Sequence, residues 1–321
     1  MRIGIIGATG LVGRTLIKVL EEENLSIDEL SLFASDKSAN NVILFHNKGL
    51  YVEPLSSESI SKKYDFLFFC TNSSISETYA KEAANICPII IDNSSAFRRV
   101  DGIPLVIPEI NGHIIKKYKG IVANPNCSTI QMLKAIYPIY VRYGIKEIVV
   151  STYQGVSGAG LEGVLALKNK IATGEKDAVF PKEINENVIP LIGEIGKNGF
   201  TEEENKLIFE SRKILSDPAI KLYPTAVRVP VVVGHSESIF LRTKYDMDLN
   251  EIKELYSNYK GTIYSNELIT PKDCEGKNDT FVSRLRIING NEALMWVVAD
   301  NLRVGAAYNA FNILKYILYG G

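Results

Sequence analysis

The stretch Arg2-Ile3-Gly4-Ile5-Ile6-Gly7-Ala8-Thr9-Gly10-Leu11-Val12-Gly13 decides the fold. Its first five residues read as a short apolar strand. Gly7, Gly10 and Gly13 then form a turn, and a helical pattern follows with Leu16, Ile17, Val19 and Leu20 on one face. Strand, glycine turn and helix together open a βαβ unit. Glycine lets the backbone approach a pyrophosphate closely, and the helix N-terminus attracts its charge. The spacing is G-x-x-G-x-x-G instead of the usual G-x-G-x-x-G. A tight turn with helix-packing glycines would use the same residue types, but this place in the chain favours nucleotide binding.

Beyond the first helix, which runs out in the acidic Glu21–Glu23, apolar runs recur at Leu30–Ala34, Asp65–Cys70, Pro88–Asp92 and Ile121–Ala123. A polar stretch, Ser76–Asn85, reads as a helix between two of them. Strands alternating with helices imply a largely parallel, doubly wound sheet. After Cys127 the texture changes. A helix is expected over Ser128–Arg142, then long β-branched stretches at Glu147–Tyr153 and Ala226–Leu241, with two more at Arg284–Ile288 and Leu294–Ala299. Long strands with few helices between them point to a mixed sheet. The expected fold is α/β, with an N-terminal Rossmann-like doubly wound domain over 1–126 and an α+β domain with a mixed sheet over 127–300. The tail, 301–321, reads as a helix that packs back on the first domain.

The chain has 321 residues, 46 % hydrophobic and 23 % charged, with a formal net charge of −1. That is enough chain for two packed domains. The balanced charge offers no basic excess for nucleic acid and no acidic solvating tail. Apolar runs such as Phe66–Cys70 and Val229–Val233 fall far short of the roughly 18 residues of a bilayer span. Met1-Arg2-Ile3-Gly4 enters the first strand directly and leaves no room for a signal peptide, so a soluble cytoplasmic protein is expected. Cys70, Cys87, Cys127 and Cys274 form no C-x-x-C pair, and histidine is limited to His46, His113 and His235. No metal site is expected from that set.

Scarcity makes the chemistry selective. Cys70 ends an apolar run, Cys87 begins one, and Cys274 lies in the charged stretch Lys272–Asn278. Cys127 alone opens a helix, after Asn124-Pro125-Asn126, where free N–H groups and the helix dipole lower a thiol's pKa. A packing residue at a helix start is the plainer reading of that position. A thiolate beside a nicotinamide points instead to aldehyde chemistry: sulfur adds to the carbonyl, hydride leaves, and a thioester remains. Such a step needs a general acid–base. A histidine at a strand end is ordinarily a surface residue, yet His235 follows Arg228 by seven positions, and Arg228 supplies a fixed cation for a carboxylate. Past the second strand, Asp36 suits the ribose hydroxyls of NAD, while Ser35, Lys37 and Ser38 suit the 2′-phosphate of NADP. A solvated turn accounts for these four residues as well.

Six motifs recur in order across both expected domains: GATGLVG at 7–13, DNSSAFR at 92–98, NPNCST at 124–129, TYQGVSGAG at 152–160, RVPVVVGHSES at 228–238 and NLRVGAA at 301–307. On these the chain resembles the aspartate-β-semialdehyde dehydrogenases from end to end. The resemblance implies that Cys127 is the nucleophile that carries the acyl group, His235 the general acid–base, and Gln154 the residue that orients the substrate. Arg228 would pair with the substrate α-carboxylate and Glu203 with its ammonium, while Arg98 and Lys206 would hold phosphate. Gly7, Thr9, Gly10, Leu11 and Val12 would meet the cofactor pyrophosphate; Ser35, Asp36 and Lys37 its ribose side; Ser157, Gly158 and Asn301 its nicotinamide side.

The activity so implied is reductive dephosphorylation of L-4-aspartyl phosphate to L-aspartate 4-semialdehyde, with NADP as cofactor and NAD as the alternative. It is the branch-point step of amino-acid biosynthesis towards diaminopimelate and lysine, threonine, methionine and isoleucine. A homodimer or homotetramer is implied too, and the 16 tyrosines suit an interface. Two alternatives stand beside it: an N-acetylglutamyl-phosphate reductase, and an inactive dinucleotide-binding regulator. Some positions depart from the family pattern. Asp36 and Lys37 stand in an A-S-x-R-S-x-G motif, Gly155 replaces an alanine, Val304 replaces a lysine, and Phe180-Pro181-Lys182-Glu183 lacks a histidine.

Overall fold

The apolar run that opens the chain becomes β1 (Arg2–Ile6), buried from Ile3 onward. A computed structural model describes residues 1–169 and 179–320 and divides the chain into two units, Met1–Asn126 with Ala306–Gly321, and Cys127–Gly305. In the first unit, β1 is joined by β2 (Glu29–Ala34), β3 (Val42–Phe45), β4 (Lys48–Pro54), β5 (Phe66–Phe69), β6 (Ile89–Asp92) and β7 (Gly120–Ala123). They form one sheet in the order β3-β4-β2-β1-β5-β6-β7, parallel throughout except for the β3–β4 hairpin.

Strand order reverses beside β1, with β2 on one side and β5 on the other. This is the switch point at which doubly wound sheets leave a crevice beyond the strand C-termini. The glycine turn sits there. Gly7 has φ +82°, and the Cys70 carbonyl at the end of β5 occupies the space a Cβ would need, so glycine is required on both counts. α1 (Leu11–Glu22) follows Gly10 with no side-chain cap, and it buries Leu16, Ile17, Val19 and Leu20 against the sheet. The short α2 (Ser57–Ile60), α3 (Ser73–Ala83) and α4 (Pro108–Asn111) complete the connections.

The second unit begins with α5 (Cys127–Tyr143), whose inner face is buried from Ser128 to Ile139 with few interruptions. β8 (Ile145–Gln154), β9 (Lys221–Arg228), β10 (His235–Thr243), β11 (Thr262–Tyr264), β12 (Thr280–Ile287) and β13 (Glu292–Ala299) form a mixed sheet, order β11-β12-β13-β10-β8-β9. β9 is an edge strand, which is where Pro224 is tolerated. α6 (Gly160–Asn169), α7 (Glu202–Leu215), α8 (Leu249–Asn258) and the short α9 (Pro271–Cys274) lie between the strands in sequence. A π-turn, Arg303–Ala307, leads into α10 (Tyr308–Tyr319), which adds Ala310, Phe311, Ile313 and Leu314 to the core of the first unit.

Two expectations need revision. Ala226–Leu241 is not one strand: Val229–Gly234 interrupts it, because Pro230 has no N–H to give and Gly234 turns the chain at φ +100°. The β3–β4 hairpin has no clear alternation in its sequence, and Val42 and Leu44 are both exposed at the sheet edge. The last segment divides, since Asn301–Gly305 belongs to the second unit and only the chain from Ala306 joins the first; Gly321 lies outside the described residues. Among the described residues no helix is long and apolar enough to cross a membrane, and no cluster of three or more His, Cys, Asp or Glu is arranged to hold a metal ion.

Candidate active site

Register builds the site. Gln154 ends β8 and is paired on one side with His235, the first residue of β10, and on the other with Arg228, the last residue of β9. Three side chains far apart in sequence therefore stand in one row across three strands. A one-residue slip would turn each to the opposite sheet face, and the buried alternation of β8 and β9 forbids it.

Each member of the row is buried and held. Thr152 Oγ1 donates to Gln154 Oε1 (2.9 Å), and Gln154 Nε2 donates to Glu203 Oε1 (3.1 Å), which fixes the direction of the amide. Arg228, 5 % exposed, donates from Nη1 to the Gly155 carbonyl (2.8 Å), with its guanidinium 5.9 Å from the centre of the Phe180 ring. His235 is fully buried. The Gly155 N–H donates to its Nδ1 (3.1 Å), while Nε2 makes no hydrogen bond within the protein. Nε2 faces bare backbone, for a Cβ at Gly158 would stand 3.3 Å from it and 2.8 Å from Arg228 Nη1.

Burial first, and then the Arg228 guanidinium, depress the His235 pKa to about 3, against the smaller opposing pull of the Gly234 carbonyl and Glu203. The ring is neutral at rest. Burial also lowers the pKa of Arg228, while Glu203 and Cys127 favour its charged form. Cys127 opens α5 as expected. The other thiols are shielded: burial pushes Cys87 up to about 11, Cys274 up to about 12, and Cys70 upward as well.

Glu203 comes from the first turn of α7. Thr201 caps that helix and forms a capping box with Glu204. Glu204 Oε1 also accepts from the Ala226 N–H (2.9 Å), which ties the helix start to β9. Lys206 Nζ lies 3.0 Å from Glu202 and 3.5 Å from Glu203. Ser157 and Gly158 sit in a 3₁₀ turn after Gln154. Asn301 is buried, accepting from the Gly234 N–H (2.8 Å) and donating to Ser157 Oγ (3.0 Å). The second unit thus brings together Cys127, Gln154, Ser157, Gly158, Glu203, Lys206, Arg228, His235 and Asn301.

The remaining expected residues belong to the first unit. Gly7, Thr9 and Gly10 form the turn at the switch point, and Leu11 and Val12 open α1. Ser35, Asp36 and Lys37 are exposed just beyond β2. Arg98 is buried and donates from Nη2 to the Asn93 carbonyl (2.9 Å). Sequence reasoning did not find Thr152, Phe180 or Glu204. Thr152 carried a signal, since it lies two residues before Gln154 and so on the same strand face, and so did Glu204, since Thr201 and Glu204 have the spacing of a capping box.

Two family models match in chain order: the semialdehyde dehydrogenase NAD binding domain over residues 2–118 and the semialdehyde dehydrogenase dimerisation domain over 136–304. The chain is 44 % identical to an aspartate-semialdehyde dehydrogenase of Aquifex aeolicus, covering 100 % of this chain and 98 % of that protein. To that of Bacillus subtilis it is 38 % identical, with 98 % and 96 % covered. A crystal structure of aspartate semialdehyde dehydrogenase II from Vibrio cholerae, complexed with ASA, superposes with a TM-score of 0.93 at 37 % identity, covering 99 % of this chain and 98 % of that one. Similar in fold and sequence along its whole length, the chain belongs to the aspartate-semialdehyde dehydrogenase family.

Proposed function

We propose that the protein converts L-4-aspartyl phosphate to L-aspartate 4-semialdehyde, and that the row Arg228–Gln154–His235 beside Cys127 and Glu203 carries the chemistry. The row supports this reading because it offers an amino acid's two charges their complements, Arg228 for carboxylate and Glu203 for ammonium. Cys127 attacks the acyl phosphate carbonyl as the thiolate; a carbon–sulfur bond forms, the carbon–oxygen bond to phosphate breaks, and a thioester remains. Arg98 and Lys206 hold the phosphate that departs. A bound nicotinamide cofactor would supply the hydride for the thioester carbonyl, and cleavage of the carbon–sulfur bond at Cys127 then releases semialdehyde and restores the thiolate. Gln154 orients the carbonyl throughout.

The reaction consumes one proton per turnover, which His235 Nε2 gives to the departing phosphate. An anionic acyl phosphate beside the ring offsets the Arg228 cation and raises the histidine's affinity for that proton. The glycine turn at the switch point and the uncapped start of α1 fit a dinucleotide pyrophosphate at Gly7, Thr9, Gly10, Leu11 and Val12. Lys37 and Ser35 favour NADP through its 2′-phosphate, and the negative Asp36 admits NAD. Ser157, Gly158 and Asn301 form the nicotinamide side. The protein works in the cytoplasm, in the biosynthesis of lysine, threonine, methionine and isoleucine, as a homodimer joined through the second unit.

Glu203 separates this from an N-acetylglutamyl-phosphate reductase, whose acetylated substrate has no ammonium for the carboxylate to meet. The test is steady-state turnover in the oxidative direction, with phosphate and either NADP or NAD. Aspartate semialdehyde is expected to be oxidised, faster with NADP; turnover on N-acetylglutamate semialdehyde alone would overturn the assignment. Cofactor binding with no turnover on either would point to a regulator.

A further inference from the structure

The segment Asp300–Gly305 packs on Cys127 and on the turn that precedes His235. Its Asn301 amide has a fixed orientation: the Gly234 N–H is a donor, so Oδ1 must face it (2.8 Å), and Nδ2 must then face Ser157 Oγ (3.0 Å). Gly234 immediately precedes His235, and the adjoining Gly155 holds the histidine's Nδ1. One buried side chain therefore pins both turns that flank the imidazole. Four residues on, Gly305 packs its backbone on the nucleophile: a Cβ there would stand 2.5 Å from Cys127 Cβ and 3.0 Å from Cys127 Cα.

The segment between them is itself rigid. Asp300, 3 % exposed, accepts from the N–H groups of Leu302 (2.9 Å) and Arg303 (3.0 Å) through Oδ1 and of Gly276 (2.8 Å) through Oδ2. The Gly305 N–H donates to the Asp300 carbonyl five residues back (3.3 Å), the wide spacing of a π-turn. Such turns are rare, and they cluster at functional sites because they displace the backbone by one residue. Here the displacement brings a bare Cα against Cys127.

We propose that Asp300–Gly305 is a brace that sets the spacing of thiol and imidazole, with Asn301 and Gly305 as its positioning residues. This rests on Cys127 and His235 acting as proposed above. Asn301 then serves catalysis through the protein's own turns, in addition to any contact with nicotinamide. A misplacement of about 1 Å costs on the order of 100-fold in such chemistry, while substrate held by Arg228 and Glu203 stays bound.

The test compares wild type, Asn301→Ala, Ser157→Ala, their double variant and Gly305→Ala. Wild-type activity, lost in Cys127→Ala, establishes the underlying reading first. For Asn301→Ala we expect a 10- to 100-fold fall in kcat at saturating NADP, with KM for semialdehyde within about twofold. Ser157→Ala, a milder change, should give part of that loss, and the double variant no more than Asn301→Ala alone, because both remove one contact. Gly305→Ala should slow alkylation of Cys127 by iodoacetamide in the absence of cofactor and substrate. If Asn301 serves the cofactor only, KM for NADP rises, NADPH binding followed by its fluorescence weakens, and kcat at saturation is kept. That result, or losses in the single and double variants that track melting temperature, would overturn the brace.

Discussion

The glycine turn of the first unit and the row of strand ends in the second are built by opposite means. The turn is local: it lies within seven consecutive residues, where the N–H groups of Gly7, Ala8 and Gly10 donate to carbonyls of the protein itself and what matters is the absence of side chains. The row is assembled from three strands whose ends meet only through register, and it depends on buried side chains holding one another. A local backbone site tolerates change around it but not within it. A register-built site transmits damage along hydrogen bonds, from Thr152 to Gln154 to Glu203, and from Arg228 to Gly155 to His235.

Breaking the row at the imidazole should have the larger effect. His235→Gln is expected to lower kcat by about 10²–10⁴-fold while leaving cofactor affinity unchanged, measured by steady-state kinetics and NADPH fluorescence. The same variant sharpens the electrostatics. With its pKa depressed from 6.5 to about 3, His235 resists protonation in the folded state, whereas the unfolded chain takes the proton near pH 6.5. Its contribution to stability is thus complete above about pH 6.5 and is lost as pH falls towards 3. Thermal melts between pH 7 and 4 should fall less steeply for His235→Gln than for wild type.

Next in size is Arg228→Met. Removing this buried cation should cost about 2–5 kcal/mol of substrate interaction, read as a raised KM for semialdehyde, and it should also raise the His235 pKa. An unchanged KM would remove Arg228 from the carboxylate site. In the first unit, Gly7→Ala forces a left-handed φ on alanine and a clash with the Cys70 carbonyl. A loss of about 1–3 kcal/mol in stability is expected with weakened NADPH binding, while Cys127 alkylation stays at the wild-type rate. Slowed alkylation would show that the two sites are not built independently. The smallest effect belongs to the exposed ribose-side turn: Lys37→Ala should raise KM for NADP about two- to fivefold, and leave KM for NAD unchanged.

The same contrast explains how much could be read from the chain alone. The doubly wound sheet was legible because β1, β2, β5 and β6 are short apolar runs separated by helical patterns, and the glycine turn because its meaning lies in consecutive residues. The mixed sheet was legible as strands but not as an order. Nothing local to Gln154 says that it lies between His235 and Arg228, since that follows from long-range pairing. His235 reads as a surface histidine from its neighbours, Gly234 and Ser236, yet it is fully buried under the turns that Asn301 holds. Cys127 was legible as a helix start, but its contact with Gly305 was not, because a π-turn has no residue signature of its own. Phe180, in a stretch that lacks an expected histidine, shows its place only through its ring beside Arg228.

The central claim is that Cys127 carries the acyl group. Cys127→Ala, assayed for phosphate-dependent NADPH formation from aspartate semialdehyde, tests it most directly. A loss of about 10³-fold or more is expected, with NADPH binding retained; survival of more than a few per cent of the wild-type rate would rule Cys127 out as the nucleophile.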